Sequence, residues 1–380
     1  MILKTKSCLF HPLELSICGH SGSGKSTLIQ KLIKKFSSNL NVGYIKHDAH
    51  KFEMDKDGKD TYMAREAGAS NIAISSSQKS ALILNDQNER ILFAQNFIDS
   101  DVVFIEGYKD SLCHKVLMWT GSVDDHNLLK KYLSEDKQQL LAIVGTDLSG
   151  PVESIPYFNR NNIQDIYDFI TGFWENIISS RPIYGLILGG GHSTRMGQDK
   201  SQIIYHGKSQ VDHLYELLEK MTEKTYLSCR EEQTNSTEVK GIATIKDRFV
   251  DFGPTGGILS AFNKHPNAAW LVLACDMPFI NAQVINDLLK KRNPYRVATC
   301  FYNEERKWPE PLCAIYEPKA ALKLGQYLAL GKPCPRKVLM NSHIESLKPI
   351  SQSFLGNVNT PGEFQEAYTQ IQKESELYED

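Results

Sequence analysis

The chain alternates short apolar runs with longer stretches in which apolar residues recur every three or four positions. The short runs, bounded by Gly, Asn, Asp or Ser, read as strands. In the first half they are ELSICG (14–19), NVGYIKH (41–47), SNIAISS (70–76), ALILND (81–86), DVVFIEG (101–107), HKVLMW (114–119) and LLAIVGT (140–146). Helical spacing covers Lys25–Phe36, Lys59–Gly68 and Glu89–Phe97, and then NIQDIYDFITGFWENI, which sets Ile163, Ile166, Phe169, Ile170 and Phe173 on one face. Ser179–Pro182 (SSRP) breaks this pattern. A second series follows, with strands at YGLIL (184–188), TYLSC (225–229), GIATIK (241–246), AWLVLAC (269–275), RVATCF (296–301) and LCAIY (312–316), and helices between. Strands alternating with helices favour parallel α/β sheets. The expected architecture is two α/β domains of three layers each, 1–180 and 183–380.

Composition narrows the picture without changing it. The 380 residues suffice for two full cores. A net charge of −2 offers no electrostatic case for nucleic acid, so anion binding has to be local. The cysteines at 8, 18, 113, 229, 275, 300, 313 and 334 include no CxxC pair, and several sit in apolar runs such as LACDMP. They read as buried small hydrophobes in a reducing compartment, without a zinc site or disulfide framework. The N-terminal segment lacks the features of a signal peptide, and no run approaches the roughly 18 apolar residues that span a bilayer. The expected location is the cytoplasm, with no membrane partner.

The first local chemistry is GHSGSGKST, Gly19–Thr27, between the strand ELSIC and the helix TLIQKLIKKF. It matches GxxxxGK[ST], a P-loop, and points to a P-loop NTPase-like sheet. Gly19, Gly22 and Gly24 let backbone N–H groups turn in around a phosphate. Lys25 is placed for the β/γ oxygens and Ser26 for magnesium, with Thr27 beside it. Glu106, ending DVVFIEG, is the candidate carboxylate on the metal side, and Asp101 at the start of that strand is an outside candidate. The alternative for Glu106 is a plain strand-end residue. Between these, His47, Asp48, His50, Asp55, Asp57 and Asp60 crowd one segment, either as metal or oxyanion ligands or as a solvated loop with a turn.

The second is LGGGHSTRMGQDK, Leu188–Lys200. No Gly-Lys-Ser/Thr closes it and no GxGxxG occurs in it. Gly189, Gly190 and Gly191 allow close approach of backbone to a nucleotide at a strand end. Arg195 and Lys200 would neutralise a triphosphate and the transition state at its phosphorus. This suits nucleotidyl transfer, which also calls for a divalent metal on the α-phosphate. Asp276, ending AWLVLACD, and Asp247, ending GIATIKD, are the candidate carboxylates, with strand-terminal capping as the alternative for each. DFGPTGGI (251–258) supplies a further turn beside Asp247.

These motifs carry a resemblance. LGGGHSTRMGQDKS, KDRFVDFGPTGGI, LACDMPF, EPLCAIY and NVNTPGEF, in that order, resemble the molybdenum cofactor guanylyltransferase (MobA) family over nearly all of 183–370. GHSGSGKSTL, VGYIKHDAHKFEMDKDGKD, AREAGA and VFIEGYK resemble the GTP-binding P-loop proteins of the MobB family. The resemblance implies a fused chain whose two loops serve two nucleotides, the second on a Rossmann-like nucleotidyltransferase sheet. It implies transfer of GMP from GTP to molybdopterin or Mo-molybdopterin with release of pyrophosphate, using Mg²⁺, and a first domain that binds GTP, for which weak GTPase activity is a candidate the sequence leaves open. Leu188, Gly189, Gly190, Gly191, Lys200, Asp247 and Asp276 then match nucleotide contacts, with Asp276 as the magnesium ligand, and Asn357 and Asn359 the pterin side. Thr360, Pro361 and Glu363 in the same stretch also satisfy a helix-capping pattern. A molybdenum insertion enzyme and apo-molybdoenzymes are the implied partners. The chain departs from the families in Leu-Gly-Gly-Gly, where Leu-Ala-Gly-Gly is common, and in HDAH, where a denser histidine run is usual. The alternatives are a sugar-phosphate nucleotidyltransferase and a non-catalytic P-loop cofactor chaperone.

Overall fold

The computed structural model describes residues 9–47, 56–84, 89–134, 139–147, 150–189, 202–229 and 241–376. It divides into two compact units, Lys6–Ile170 and the chain from Thr171 to Asp380.

In the first unit the elements run β1 (Glu14–Cys18), α1 (Lys25–Phe36), β2 (Val42–Lys46), α2 (Asp60–Glu66), β3 (Asn71–Ser75), β4 (Ser80–Leu84), α3 (Glu89–Phe97), β5 (Val102–Glu106), β6 (Lys115–Met118), α4 (Val123–Ser134), β7 (Leu140–Gly145) and β8 (Tyr157–Asn159), leading into α5 (Ile163–Ser179). The main sheet has the order β2-β5-β1-β6-β7-β8, with every pair parallel. β1 and β5 are buried along their whole length, which is why they read as unbroken apolar runs. Phe104 meets Phe36 of α1 on one face, while Val103 and Ile105 cluster with Phe93 and Phe97 of α3 on the other. That makes three layers.

SNIAISS and ALILND do not join this parallel sheet. They pair antiparallel with each other as β3–β4, a separate two-stranded sheet. Four residues separate the two strands, and a parallel connection needs a crossover of a dozen or more.

The second unit contains β9 (Ile183–Leu188), α6 (Gln210–Glu219), β10 (Lys224–Cys229), β11 (Ala243–Lys246), α7 (Pro254–Lys264), β12 (Ala269–Ala274), α8 (Ala282–Lys290), β13 (Ala298–Asn303), β14 (Trp308–Tyr316), α9 (Ala320–Ala329), α10 (Pro335–Met340), β15 (Glu345–Leu347) and α11 (Pro361–Glu376). Its sheet has the order β11-β10-β9-β12-β14-β13-β15. Along β12, Trp270 and Val272 pack with Ile258 and Phe262 of α7, while Leu271 and Leu273 pack with Leu214 and Leu218 of α6. Helices therefore cover both faces here too.

This sheet is mixed rather than parallel throughout. β14 runs antiparallel to both β12 and β13. The link between β13 and β14 is again four residues long, with Lys307 at φ 57° in the turn, so only a hairpin can form. α4, β8 and β15 are elements that the apolar pattern did not single out; β8 and β15 have three residues each, too short to show a period. Cys18, Cys113, Cys229, Cys275, Cys300 and Cys313 are all buried.

Candidate functional site

In the first unit the loop after β1 turns through Gly19 (φ 153°), Gly22 (φ 80°) and Gly24 (φ 93°), and α1 begins at Lys25. Gly22 and Gly24 occupy the left-handed region that other residues avoid, so the glycine pattern is a backbone requirement. Lys25 Nζ donates to the carbonyl of His20 across 2.7 Å, so its ammonium lies across its own loop. Burial lowers its pKa, and the fields of Lys109 and Lys46 add to this against the opposing pull of Glu106.

Ser26 Oγ donates to Glu106 Oε1 at 2.9 Å, and Tyr44 donates to Glu106 Oε2 at 2.7 Å. The serine hydroxyl and the carboxylate are hard oxygen donors on one side of the loop, a set that fits magnesium completed by phosphate oxygens. Tyr44, on β2, holds the carboxylate from its other oxygen; burial and Glu106 together raise the phenol's pKa. Thr27 lies exposed in the first turn of α1. Asp101 is not at this site. It accepts from the Asn41 amide at 2.6 Å at the other end of β5, about 16 Å from Glu106 at the usual rise per residue.

Two features here had no signal in the sequence. Arg160, after β8, sets its guanidinium where a Cβ on Gly24 would stand, 1.9 Å from that position, and donates to the Ser23 carbonyl at 3.4 Å. His20 contacts Thr120 at 2.9 Å, and buried Asp125 accepts from both the amide and the hydroxyl of Thr120. Both come from the segments that follow β6 and β8, which the linear order separates from the loop by a hundred residues or more. The His47 ring packs against that of Tyr108, with centroids 4.4 Å apart and the planes tilted by 48°. Asp48, His50 and Asp55 lie outside the described residues.

In the second unit Leu188 ends β9 and Gly189 follows it, while Gly190, Gly191, Arg195 and Lys200 lie outside the described residues. The Gly189 amide donates to the Ser228 carbonyl at 3.3 Å, and the Asp247 amide to the Cys229 carbonyl at 3.0 Å. Ser228 Oγ donates to Asp247 Oδ1 at 2.5 Å. The Cys275 amide, next to Asp276, donates to the Leu188 carbonyl at 3.4 Å. Val358 donates its amide to the Asp276 carbonyl at 2.8 Å, which brings the Asn357–Asn359 segment to the same edge. Leu188, Gly189, Asp247, Asp276 and Asn357 thus converge at the C-terminal ends of parallel strands β9 to β12, where open α/β sheets bind ligands.

Three neighbours complete this edge. Gly257, in the first turn of α7, leaves no room for a methyl: a Cβ would stand 2.6 Å from Ser228 Oγ and 3.5 Å from Asp247 Oδ1. Tyr205 has its pKa pushed up to about 12 by burial and then by Asp276. Glu310, buried in β14, is raised first by burial and further by Asp276, while the Leu312 amide, Arg306 and Arg336 pull the other way. Two carboxylates within each other's field suit a divalent cation. No cluster of three or more metal-ligating side chains occurs among the described residues, and magnesium requires only one or two.

Beside them opens a cavity of 310 Å³ lined by Asn357, Glu310, Arg306, Trp308 and Arg336. The Arg336 guanidinium stacks over the Trp308 ring, 4.1 Å from its centroid. Asn359 and Thr360 donate amides to Glu363, and Glu363 donates its own to Thr360 Oγ1 at 3.3 Å, which is the expected capping box at the start of α11. No helix among the described residues is long and apolar enough to cross a membrane.

Comparison with known proteins separates along the same line. The model of molybdopterin guanine dinucleotide synthesis protein B (MobB) matches residues 14–146, and that of the MobA-like NTP transferase domain matches 185–346. The molybdenum cofactor biosynthesis bifunctional protein of Synechocystis sp. is 36% identical over 187 residues, 49% of this chain and 54% of its own length. The molybdopterin-guanine dinucleotide biosynthesis adapter protein of Haemophilus influenzae is 31% identical over 173 residues, 44% of this chain and 92% of its own. The molybdenum cofactor guanylyltransferase of Pseudomonas syringae pv. tomato is 30% identical over 184 residues, 46% of this chain and 88% of its own. The match spans about half the bifunctional relative and most of each single-function relative. The two glycine loops, each with its own carboxylates on its own sheet, are those of a chain that belongs to the MobB family in its first half and to the MobA-like transferase family in its second.

Proposed function

We propose that the second domain, 183–380, transfers GMP from GTP to molybdopterin, forming molybdopterin guanine dinucleotide and pyrophosphate, while the first domain, 1–180, binds GTP. The observation that carries this is the convergence of Leu188, Gly189, Asp247 and Asp276 beside the cavity of Asn357 and Arg336. One strand edge offers a backbone bed for a nucleotide. The adjoining cavity offers guanidinium groups and an amide for a phosphate-bearing acceptor.

In this reading the terminal phosphate of molybdopterin attacks the α-phosphorus of GTP. A new P–O bond forms as the bond from the α-phosphorus to the bridging oxygen breaks, and pyrophosphate leaves with the electron pair. Gly189–Gly191 let the backbone approach the nucleotide. Ser228 fixes the rotamer of Asp247. Arg195 and Lys200 neutralise charge building on the phosphorus oxygens and the leaving group. Asn357 and Asn359 orient the pterin side, and Arg336 meets the acceptor phosphate. Asp276, with Glu310 behind it, would hold Mg²⁺, which supplies charge neutralisation at the α-phosphate when bound. In the first domain Ser26 and Glu106 would do the same for the loop nucleotide. The buried thiols suit a cytoplasmic protein, working beside a molybdenum insertion enzyme and the apo-molybdoenzymes that take the cofactor.

The full chain, given GTP, Mg²⁺ and molybdopterin, should release one pyrophosphate per molybdopterin consumed. Pyrophosphate release with sugar phosphates instead would identify a sugar-phosphate nucleotidyltransferase. None with either acceptor would leave a binding protein.

A further inference from the structure

The 310 Å³ cavity of the second domain is built to keep its shape. Pro254, Pro311, Pro333 and Pro335 stand in its wall. Each proline fixes its own φ and has almost no side-chain freedom to lose. Trp308, at the start of β14, and Arg336, in α10, meet in the same wall. The guanidinium carbon lies over the indole, 4.1 Å from the ring centroid.

This is an unusual way to hold a half-buried arginine. Arg292 shows the common one: it spends Nε and Nη2 on the two oxygens of Glu317, at 2.6 and 2.9 Å. Arg336 makes no hydrogen bond or ion pair among the described residues, and Glu310 feels its field without touching it. A guanidinium carries its five N–H donors in its own plane. A carboxylate partner uses those donors up. An aromatic ring under the face holds the group and leaves them uncommitted.

A second group in the wall is also unmet. The side-chain oxygen of Asn357 is buried, and no donor reaches it among the described residues. Buried acceptors are normally paired. The cavity therefore offers a planar set of donors from α10 and an unused acceptor from the segment before α11. A molecule that carries both a phosphate and an N–H group meets the two together.

We propose that Trp308 is the positioning residue of this cavity: it holds Arg336 by one face, so that the N–H edge is free for the phosphate monoester of the acceptor. The role needs a ring and not mere bulk. An aliphatic side chain of similar size fills the space but gives the cation no π face. The guanidinium is then free to turn to the carboxylate in the same wall, Glu310, and its donors are lost to the acceptor. The proposal rests on the reading of this cavity as the acceptor site, and adds to it a residue that acts only through another.

The test uses the full chain at saturating GTP and Mg²⁺, with molybdopterin varied and pyrophosphate release giving kcat and KM. A second readout is alkylation of Cys334, a half-buried thiol in the same wall, by N-ethylmaleimide, followed by peptide mass with and without molybdopterin. Trp308→Leu should raise the KM for molybdopterin, and the concentration that half-protects Cys334, about three- to tenfold, while kcat and the KM for GTP move less than about twofold. Trp308→Phe keeps a ring face and should recover most of that loss. In an Arg336→Met background Trp308→Leu should add less than about twofold, because the group it holds is gone. An equal rise in both backgrounds would overturn the proposal and mean that the ring meets the acceptor directly. So would Trp308→Phe as impaired as Trp308→Leu, or a Trp308→Leu variant with the KM and protection of wild type. Protection of Cys334 with this same pattern of variants, but no pyrophosphate from wild type, would keep Trp308 in its role and overturn the transferase reading. Neither protection nor turnover in wild type would overturn both.

Discussion

Ser26 and Glu106 are 80 positions apart in the chain, and their side chains meet across 2.9 Å. The contact ties the start of α1 to the end of β5, at the point where a P-loop holds its metal. Glu106 also accepts from Tyr44, so its two oxygens are shared between two hydroxyl donors. Glu106→Gln keeps the shape and removes the charge. Nucleotide affinity of the first domain in Mg²⁺ should fall at least about tenfold, with affinity in EDTA changing much less. Titration of a fluorescent GTP analogue with and without Mg²⁺ checks this. An equal loss in both conditions would show that Glu106 only braces the loop.

Gly257 gives a second test, because its missing side chain is where Ser228 and Leu188 sit. A methyl there would stand 2.6 Å from Ser228 Oγ and 2.8 Å from Leu188 Cδ2. Turning Ser228 away relieves the clash but breaks its bond to Asp247. Gly257→Ala should cost about 1–3 kcal/mol in urea unfolding, and turnover should fall about tenfold as Asp247 loses its orientation. Gly325, in α9, is the control, since a methyl there meets nothing within 4 Å. Gly325→Ala should gain about 0.5–1 kcal/mol. A Gly257→Ala variant as stable and as active as wild type would mean that the helix shifts at no cost.

Asp276→Asn addresses the transferase metal. Asp276 sits between the fields of Glu310 and Tyr205, and its backbone carbonyl anchors the Asn357–Asn359 segment through Val358. The substitution leaves that backbone bond intact. Turnover should drop by roughly two to four orders of magnitude, since charge stabilisation by a metal is worth several kcal/mol. GTP binding in the absence of metal should change little. More than about a tenth of wild-type turnover at saturating Mg²⁺ would move the metal role to Asp247.

A pH effect follows from His206 and His213, whose rings stack 3.8 Å apart with 14° between their planes. Burial, and then His206, push His213 from 6.5 down to about 4, and burial lowers His206 as well. His213 is therefore neutral in the folded protein near pH 6, where the unfolded chain is already binding protons. The cost of keeping His213 neutral is absent above pH 6.5 and grows as the pH falls from there towards 4, and His206 acts in the same direction. For His213 this amounts to roughly 2–3 kcal/mol. His213→Gln keeps a donor for the Ile280 carbonyl and removes the titration. Urea midpoints at pH 7 and pH 5 should differ less in this variant than in wild type. An unchanged difference would assign the acid sensitivity elsewhere.

The lengths and spacings of the apolar runs were enough to locate most strands and helices, because a buried strand and an amphipathic helix each impose a local period. The glycine pattern of Gly19–Gly24 was legible for the same reason: a phosphate loop demands positive φ at fixed positions. The sequence also marked Glu106, Asp247 and Asp276 as strand ends, and its motifs marked both families. Tertiary structure decided what no local rule contains. β14 runs antiparallel because its link to β13 is too short for a crossover, a property of the connection and not of the strand's residues. Ser228 and Gly257 became parts of the Asp247 site only when β10 and α7 packed together. Arg160 against Gly24 and Arg336 over Trp308 arise the same way. A charged side chain looks like any solvated one until the sheet order says which strand end it shares.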